Sequence, residues 1–195
     1  MSRNYRYFGR RGRLTLLAIL ISAGLIYAQR AGLLGEGGNL ASRNQPGLYS
    51  VAHFVDGDTI AVNMNGKVEK VRLVGIDTPE THKPNTPVQC YGPAAAAFTK
   101  NVIGSNHVRL VADSLSTDRD RYDRLLRYVY LPDGTNVNEK LVQNGYAFYY
   151  PYFPFTKSEQ FSFDQDRAMA AHKGIWGNCT PTRTERGGYI SNNQD

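Results

Sequence analysis

Between residues 48 and 74 the apolar positions fall in short runs of strand-forming residues. Leu48 to Val55 and Thr59 to Val62 read as two strands, Asn65-Gly66 is a two-residue hairpin signal, and Val68 to Val74 is the returning strand. Three strands thus arrive early and in sequence. If the hairpin turns at Asn65-Gly66, Asn63 and Met64 fall near Lys67 and Val68, and Asp58 falls opposite Leu73.

The pattern then changes period. Pro93 suits the first turn of a helix that holds the alanine run Ala94 to Ala97 and stops at Gly104. Val108 to Ala112 and Leu125 to Leu131 read as two more strands, followed by a Pro132-Asp133-Gly134 turn. Asn136 with Glu139 three residues later is a capping-box pattern, opening a helix that Gly145 closes. Thr156 with Glu159 repeats the signal for a last helix, which runs through Met169 to about His172, before Gly174. Three strands, a helix, two strands and further helices predict an α+β fold: a five-stranded OB-type β-barrel with about three helices. Other small α+β folds share that order.

One stretch fits neither period. Leu14 to Ala28 is almost unbroken in its apolarity and follows a run of arginines, the layout of a secretory signal or a signal-anchor. Fifteen helical residues rise about 22 Å against a hydrocarbon core of roughly 30 Å, which favours a cleaved signal. No small-x-small cleavage site follows well, which favours an anchor, and a buried core helix is the third alternative. An adjacent Arg10-Arg11 invites a twin-arginine reading that the following residues fit poorly. The arginine-rich side stays inside, so the remainder is expected to be exported, either secreted or held at the extracytoplasmic face of the membrane by residues 14–28. The organisation expected is a basic signal peptide or anchor at 1–30, a flexible Gly/Asn/Ser-rich linker at 31–47, a domain at 48–179, and a disordered tail at 180–195.

Charge changes the picture only once it is located. The chain carries a net +6, a value that invites a nucleic-acid reading. Six arginines and no acid lie within residues 1–30, however, leaving 17 basic residues against 17 acidic ones from Ala31 onward. The domain is formally neutral, so overall basicity is no evidence of a nucleic-acid surface. Cys90 and Cys179 are the two cysteines, compatible with one disulfide in an oxidising compartment or with two buried thiols. Without a neighbouring histidine pair they make a poor zinc site.

The candidate chemistry lies at the end of the first hairpin, in Asp56-Gly57-Asp58-Thr59 and Arg72-Leu73-Val74-Gly75-Ile76-Asp77-Thr78-Pro79-Glu80. Alternation puts Asp56 and Asp58 on one face with Leu73, Gly75 and Asp77, so three carboxylates converge. Converging carboxylates repel unless a cation sits among them, and oxygen-only ligands point to calcium or magnesium. Calcium tolerates irregular geometry and backbone carbonyls, of which Thr78 offers one. The same register turns Arg72 to the opposite face, and a bulge or strong twist near Gly57 or Gly75 is needed to bring it in. Solvated strand ends with acidic turn caps are the bland alternative for either motif alone.

Taken together with Tyr91-Gly92-Pro93-Ala94, Asp120-Arg121-Tyr122-Asp123-Arg124-Leu125, Asn138 to Gly145 and Gly174-Ile175-Trp176, these motifs resemble the staphylococcal nuclease (thermonuclease) family in order and spacing. The likeness runs from about Leu48 to Cys179. It implies a calcium-dependent nuclease that hydrolyses single-stranded DNA and RNA to 3′-phosphate products, working as a monomer. By motif, Asp58 and Asp77 would ligate Ca2+ through side chains, Thr78 through its carbonyl, and Asp56 from the outer shell. Glu80 would hold or deprotonate the attacking water, and Arg72 and Arg124 would grip the phosphate, planar donors suiting its oxygens. A non-catalytic OB-fold module binding nucleic acid or protein is the rival, but such relatives lose the carboxylates and arginines kept here.

Two departures bear on the site. Asp123 stands where the family frequently has glycine, so the loop carrying Arg124 is expected to be stiffer, or that charge partly paired with Asp123. The aromatic run Tyr149 to Phe155 contains prolines that alter its register. Tyr122, Tyr150 and Tyr152 are the candidate residues for substrate bases, with packing against the last helix as the alternative. His53, His82, His107 and His172 are scattered and read as structural or exposed, and Trp176 reads as core.

Overall fold

The computed structural model describes residues 47–81 and 86–193. The signal or anchor segment, the linker before Gly47, and His82 lie outside the described residues. No helix among the described residues is long and apolar enough to cross a membrane.

The hairpin forms as its sequence dictates. β1 (Leu48–Phe54), β2 (Thr59–Met64) and β3 (Lys67–Leu73) follow in order. Asn65 and Gly66 take φ of 52° and 81° at the turn, the pair of positive values a two-residue turn needs. Met64 pairs with Lys67 and Asn63 with Val68, through to Thr59 with Arg72, in unbroken register. β1 meets β2 with one register shift between Val51 and His53, which bends the strand.

A short β4 (Ile76–Asp77) precedes α1 (Gly92–Ile103); β5 (His107–Val111) and β6 (Leu125–Tyr130) then complete a closed barrel in the order β1-β2-β3-β6-β5. β6 runs parallel to β3, and β5 closes onto β1. Ile60, Val62, Val71, Leu73, Val108, Leu125 and Val129 fill the interior. The OB-type barrel expected from the sequence is therefore the observed one.

Among the described residues three helices accompany the barrel, with a fourth single turn. α2 (Val137–Gln143) begins at Asn136, whose side chain accepts the Glu139 N–H. Only that half of the capping box forms, because the Glu139 carboxylate accepts from Gln143 Nε2 instead. Asn138 is fully buried and fastens α2 to the barrel, donating to the carbonyls of Val74 and Arg127 and accepting from Val129 N–H. β7 (Phe148–Tyr149) pairs with β4. α3 (Ser158–Ala170) starts one residue later than the Thr156 signal implied, with Lys157 at the cap position. Thr156 does not cap it. Its amide and hydroxyl both donate to Asp113 Oδ2, a buried carboxylate that outcompetes the helix end.

The tail expected to be disordered is ordered through residue 193. After α4 (Ile175–Asn178), β8 (Thr182–Arg183) and β9 (Tyr189–Ile190) form a hairpin whose Tyr189 ring lies against Phe148 and Trp176. A disulfide joins Cys90 to Cys179 across 89 residues. Both give a polar sequence something to pack on, which composition alone did not foretell.

Candidate active site

The loop between β1 and β2 presents its carboxylates by folding back on itself. Val55 and Asp56 N–H both donate to the Thr59 carbonyl, and Asp58 N–H donates to Asp56 Oδ1 at 3.2 Å. Gly57 is required there: a Cβ would lie 2.8 Å from Thr78 Oγ1. Its carbonyl accepts the Thr99 hydroxyl of α1 at 2.6 Å, anchoring the loop from below. Asp58 is consequently 6% exposed and saturated with partners. Oδ1 accepts from Thr59 Oγ1, while Oδ2 accepts from Thr78 N–H at 2.9 Å and forms an ion pair with Arg72, whose Nη1 lies 3.0 Å away and donates to the Leu73 carbonyl.

Arg72 reaches the site without the bulge that alternation demanded. The β2–β3 ladder is regular through Thr59 and Arg72, and Leu73 N–H donates to the Asp58 carbonyl, so the expected register holds. Asp58, however, precedes the ladder, and period-two alternation does not bind a residue in the folded-back loop. From there its carboxylate lies within reach of the long guanidinium. Gly75, at φ 78°, turns the chain beyond β3 and returns Asp77 to the same guanidinium, with Oδ1 accepting Nη2 at 2.8 Å. Arg72 thus bridges Asp58 and Asp77.

Arg124 approaches from the start of β6. Its Nη1 donates to Thr59 Oγ1 at 3.2 Å, the same hydroxyl that touches Asp58. Asp120 holds it: Nε and Nη2 both lie 2.7 Å from Asp120 Oδ2, and Arg124 N–H donates to Oδ1. Asp123 does not pair with Arg124 as expected. It is exposed, turned toward Arg119 at 3.6 Å, and adopts φ 63°. The Arg124 guanidinium also sits 5.4 Å from the centre of the exposed Tyr122 ring, with Arg121 at 4.8 Å.

Glu80 follows β4 on a segment fixed by Gln89, whose Oε1 accepts Glu80 N–H at 2.8 Å. Tyr150 borders the Arg72–Asp77 pair: burial first, then Asp77, raises its phenol pKa against the opposing Arg72, and its N–H donates to the Gly75 carbonyl. Tyr152 meets Tyr150 edge-on at 4.7 Å, and its hydroxyl is tied to Thr184 at 2.6 Å.

The barrel and this cluster agree with the comparisons to known proteins. A model of the staphylococcal nuclease homologue family matches residues 70–178. The chain belongs to the staphylococcal nuclease family. A Staphylococcus hyicus protein named thermonuclease is 39% identical over 171 residues, covering 86% of this chain and 96% of its own length. Endonuclease YncB of Bacillus subtilis strain 168 is 40% identical over 161 residues, 80% of this chain and 72% of its own. A thermonuclease of Staphylococcus intermedius is 50% identical over 99 residues, covering 51% of this chain and 57% of its own length. Asp123 itself adopts a left-handed backbone at φ 63°, a conformation that glycine reaches at the least cost.

Four of the family's motif carboxylates crowd this end of the barrel, and the crowding shows in their acidity. Burial first, then Asp58 beside it, pushes the Asp56 carboxyl up to about 7. Burial likewise lifts Asp77 to about 7 despite the opposing Arg72, with Asp58, Glu80 and Asp56 adding to the rise. Its side chain keeps 40% exposure, so solvent moderates the effect. Burial alone would lower the Arg72 pKa; the three aspartates outweigh it and raise it. Among the described residues no group of three His, Cys, Asp or Glu side chains forms a ready metal cage. Arg72 holds the position between Asp58 and Asp77. The donor chemistry nonetheless fits a hard cation, since the cluster is all oxygen and short of positive charge.

Sequence reasoning passed over Asp120, Thr59, Gln89 and Thr99. The spacing of Asp120 and Arg124, four apart in a charged loop, was the one readable signal among them. The others act through hydroxyls, an amide and backbone contacts that only the tertiary fold brings into range.

Proposed function

We propose that this chain is a calcium-dependent nuclease that hydrolyses the phosphodiester bonds of single-stranded DNA and RNA and leaves 3′-phosphates. The observation that carries the reading is the bridge of Arg72 between Asp58 and Asp77, with Arg124 joined to the same cluster through Thr59. Two guanidiniums beside clustered carboxylates suit a phosphate that must be gripped while its equatorial oxygens gain charge.

In this reading Asp58 and Asp77 would hold the cation through side chains and Thr78 through its carbonyl, with Asp56 in the outer shell. A bound Ca2+ supplies charge compensation for the scissile phosphate and the attacking water. Glu80 holds that water or takes its proton, and the proton leaves the oxygen as it attacks phosphorus. Arg72 exchanges carboxylate for phosphate oxygen, and Arg124, oriented by Asp120, meets a second oxygen. The bond from phosphorus to the 5′-oxygen then breaks, the departing oxygen takes a proton from solvent to become a free 5′-hydroxyl, and the phosphate stays on the 3′ side. Tyr122 and Tyr150 flank the guanidiniums and offer ring faces to bases. The enzyme acts as a monomer, exported and either released or tethered by residues 14–28.

Digestion of single-stranded oligonucleotides by the full chain tests this. Cleavage is expected with calcium and not with chelator, with 3′-phosphate ends, and Arg124→Ala is expected to cut kcat by about 10²–10³, the scale of losing one donor to a developing anion. Cleavage unaffected by chelator, or by that substitution, overturns the mechanism. Binding without cleavage under all metals points to the rival binding module.

A further inference from the structure

The contacts that fix the Glu80 backbone lead to residues beyond those the family model matches. Glu80 and Gln89 are joined twice, the Gln89 N–H returning to the Glu80 carbonyl at 2.9 Å. Gln89 forms a β-bridge with Asn193. Beside it, Cys90 N–H donates to the Asn192 carbonyl at 2.8 Å, and Ser191 Oγ donates to the Cys90 carbonyl at 2.9 Å. Ser191 is 4% exposed, a burial that its hydroxyl tolerates because it is bonded. The disulfide to Cys179 adds a covalent tie one residue from Gln89.

The same segment reaches the other flank of the site. Thr184 holds the Tyr152 hydroxyl, Tyr152 backs Tyr150, and Tyr189 packs on Phe148, which pairs with Asp77 across β4–β7. Residues 180–193 therefore touch, on one side, the base of the segment bearing Glu80 and, on the other, the strand partner of Asp77.

We propose that residues 180–193, locked by the Cys90–Cys179 disulfide, form a strap that positions Glu80 for attack, with Gln89 and Ser191 as its positioning residues. The inference rests on the nuclease reading of Glu80. Its physical ground is that a misplacement of about 1 Å at a reacting group costs up to about a hundredfold in rate. Here two hydrogen bonds hold the Glu80 peptide; behind them Gln89 and Cys90 are tied to the strap through Ser191, Asn192 and Asn193, and the Gln89 carbonyl also accepts the Gly92 N–H of α1. Reduction of the disulfide releases one end of that strap.

The test is steady-state cleavage of a single-stranded oligonucleotide by five forms of the full chain: oxidised, dithiothreitol-reduced, C90S/C179S, Ser191→Ala and Gln89→Leu. A form ending at Thr180 is added, and thermal midpoints check that each is folded at the assay temperature. The expected result is a fall in kcat of about tenfold in the reduced, truncated and Gln89→Leu forms, with KM within about twofold. Gln89→Glu, which keeps an acceptor for the Glu80 amide, is expected to recover most of the loss. C90S/C179S is expected to be slow and indifferent to dithiothreitol. In a Glu80→Ala background the same changes are expected to add nothing, since the effect acts through that carboxylate. Unchanged kcat in folded Gln89→Leu and reduced protein overturns the strap, as does a loss that persists undiminished in the Glu80→Ala background. A wild-type chain that never cleaves overturns the nuclease reading and this inference with it, whereas cleavage that ignores the strap overturns the inference alone.

Discussion

Asp120→Asn is the substitution that best isolates how Arg124 is held. The carboxylate does two jobs with separate oxygens. Oδ1 accepts the N–H groups of Tyr122 and Arg124 at 2.9 and 3.0 Å, which shapes the loop. Oδ2 accepts Arg124 Nε and Nη2, both at 2.7 Å, which orients the guanidinium. These contacts also leave Asp120 more acidic than usual: burial pushes the other way, but the Arg124 and Tyr122 hydrogen bonds outweigh it. Asparagine preserves an oxygen for the loop and places an NH2 against the guanidinium, a donor facing donors. A buried charge-assisted pair of this geometry is worth roughly 2–3 kcal/mol. With side-chain exposures of 17% and 24%, solvent screening reduces that to about 1–2 kcal/mol. If Arg124 contacts phosphate in the transition state, the loss of orientation lowers kcat by about 5- to 30-fold, at 1.4 kcal/mol per factor of ten. The assay is initial-rate cleavage with saturating calcium, paired with a thermal melt to confirm folding. Full activity in folded Asp120→Asn protein would refute the orientation argument, and higher activity would mean that Asp120 competes with substrate rather than serving it.

Three further outcomes follow from other parts of the molecule. Asp113 accepts hydrogen bonds from Thr156, Tyr128 and Leu115 that outweigh burial and hold its carboxyl down to about 2. Because the folded value lies below the usual 3.8, this stabilisation is present above about pH 4 and is lost as pH falls toward 2; Asp113→Asn should cost about 2 kcal/mol at pH 7 and flatten the acid limb of a urea-midpoint profile. Asp123→Gly places the freest residue at φ 63° and should raise stability by a few tenths of a kcal/mol, whereas Asp123→Val, β-branched there, should lose about 1–2 kcal/mol, both read from thermal melts. Gly75→Ala drives a Cβ to 2.5 Å from Phe155 Cε2 at φ 78°, and because Phe155 is buried against Tyr149 and Phe161 the ring cannot yield, so a loss above about 2 kcal/mol is expected in denaturant titration.

How much of this was legible in the sequence depends on whether the governing interaction was local. The hairpin register was, since Asn65-Gly66 fixes the turn and period-two pairing carries that choice to Thr59 and Arg72. The barrel strands were legible for the same reason. Arg72 was misplaced because alternation was extended to Asp58, one residue before the ladder begins, and because a guanidinium spans more than one strand position. Thr156 carries the residue type of a helix cap, but Asp113 lies 43 positions away in sequence and takes both of its donors. The tail misled in the same manner. Nothing local in Thr180 to Asn193 signals order; its partners are Cys90, Tyr152, Phe148 and Trp176, all supplied by the fold.

The arrangement of charge constrains the order in which the site can work. Five carboxylates, Asp56, Asp58, Asp77, Glu80 and Asp120, face three guanidiniums, Arg72, Arg121 and Arg124, at this end of the barrel. Arg124 is already paired with Asp120, and Arg72 is shared between Asp58 and Asp77. A phosphodiester approaching that surface alone meets a net negative field, and it can recruit Arg72 only by stripping a guanidinium from two carboxylates, one of them 6% exposed. Losing Arg72 would leave Asp58 with its Thr59 and Thr78 hydrogen bonds but no counter-charge, and Asp77 without its ion pair, which opposes the exchange. On the proposed nuclease reading, Asp58 and Asp77 would hold a divalent cation in place of Arg72, whose Nη groups would then be available to the phosphate. On this argument the cation is needed for substrate to engage as well as for the chemical step. Omitting calcium should therefore raise the apparent Kd of a non-hydrolysable phosphorothioate oligonucleotide, measured by fluorescence anisotropy, while leaving the fold intact. Equal affinity with and without calcium would show that Arg72 gives up its carboxylates unaided, and the partner exchange would have to be abandoned.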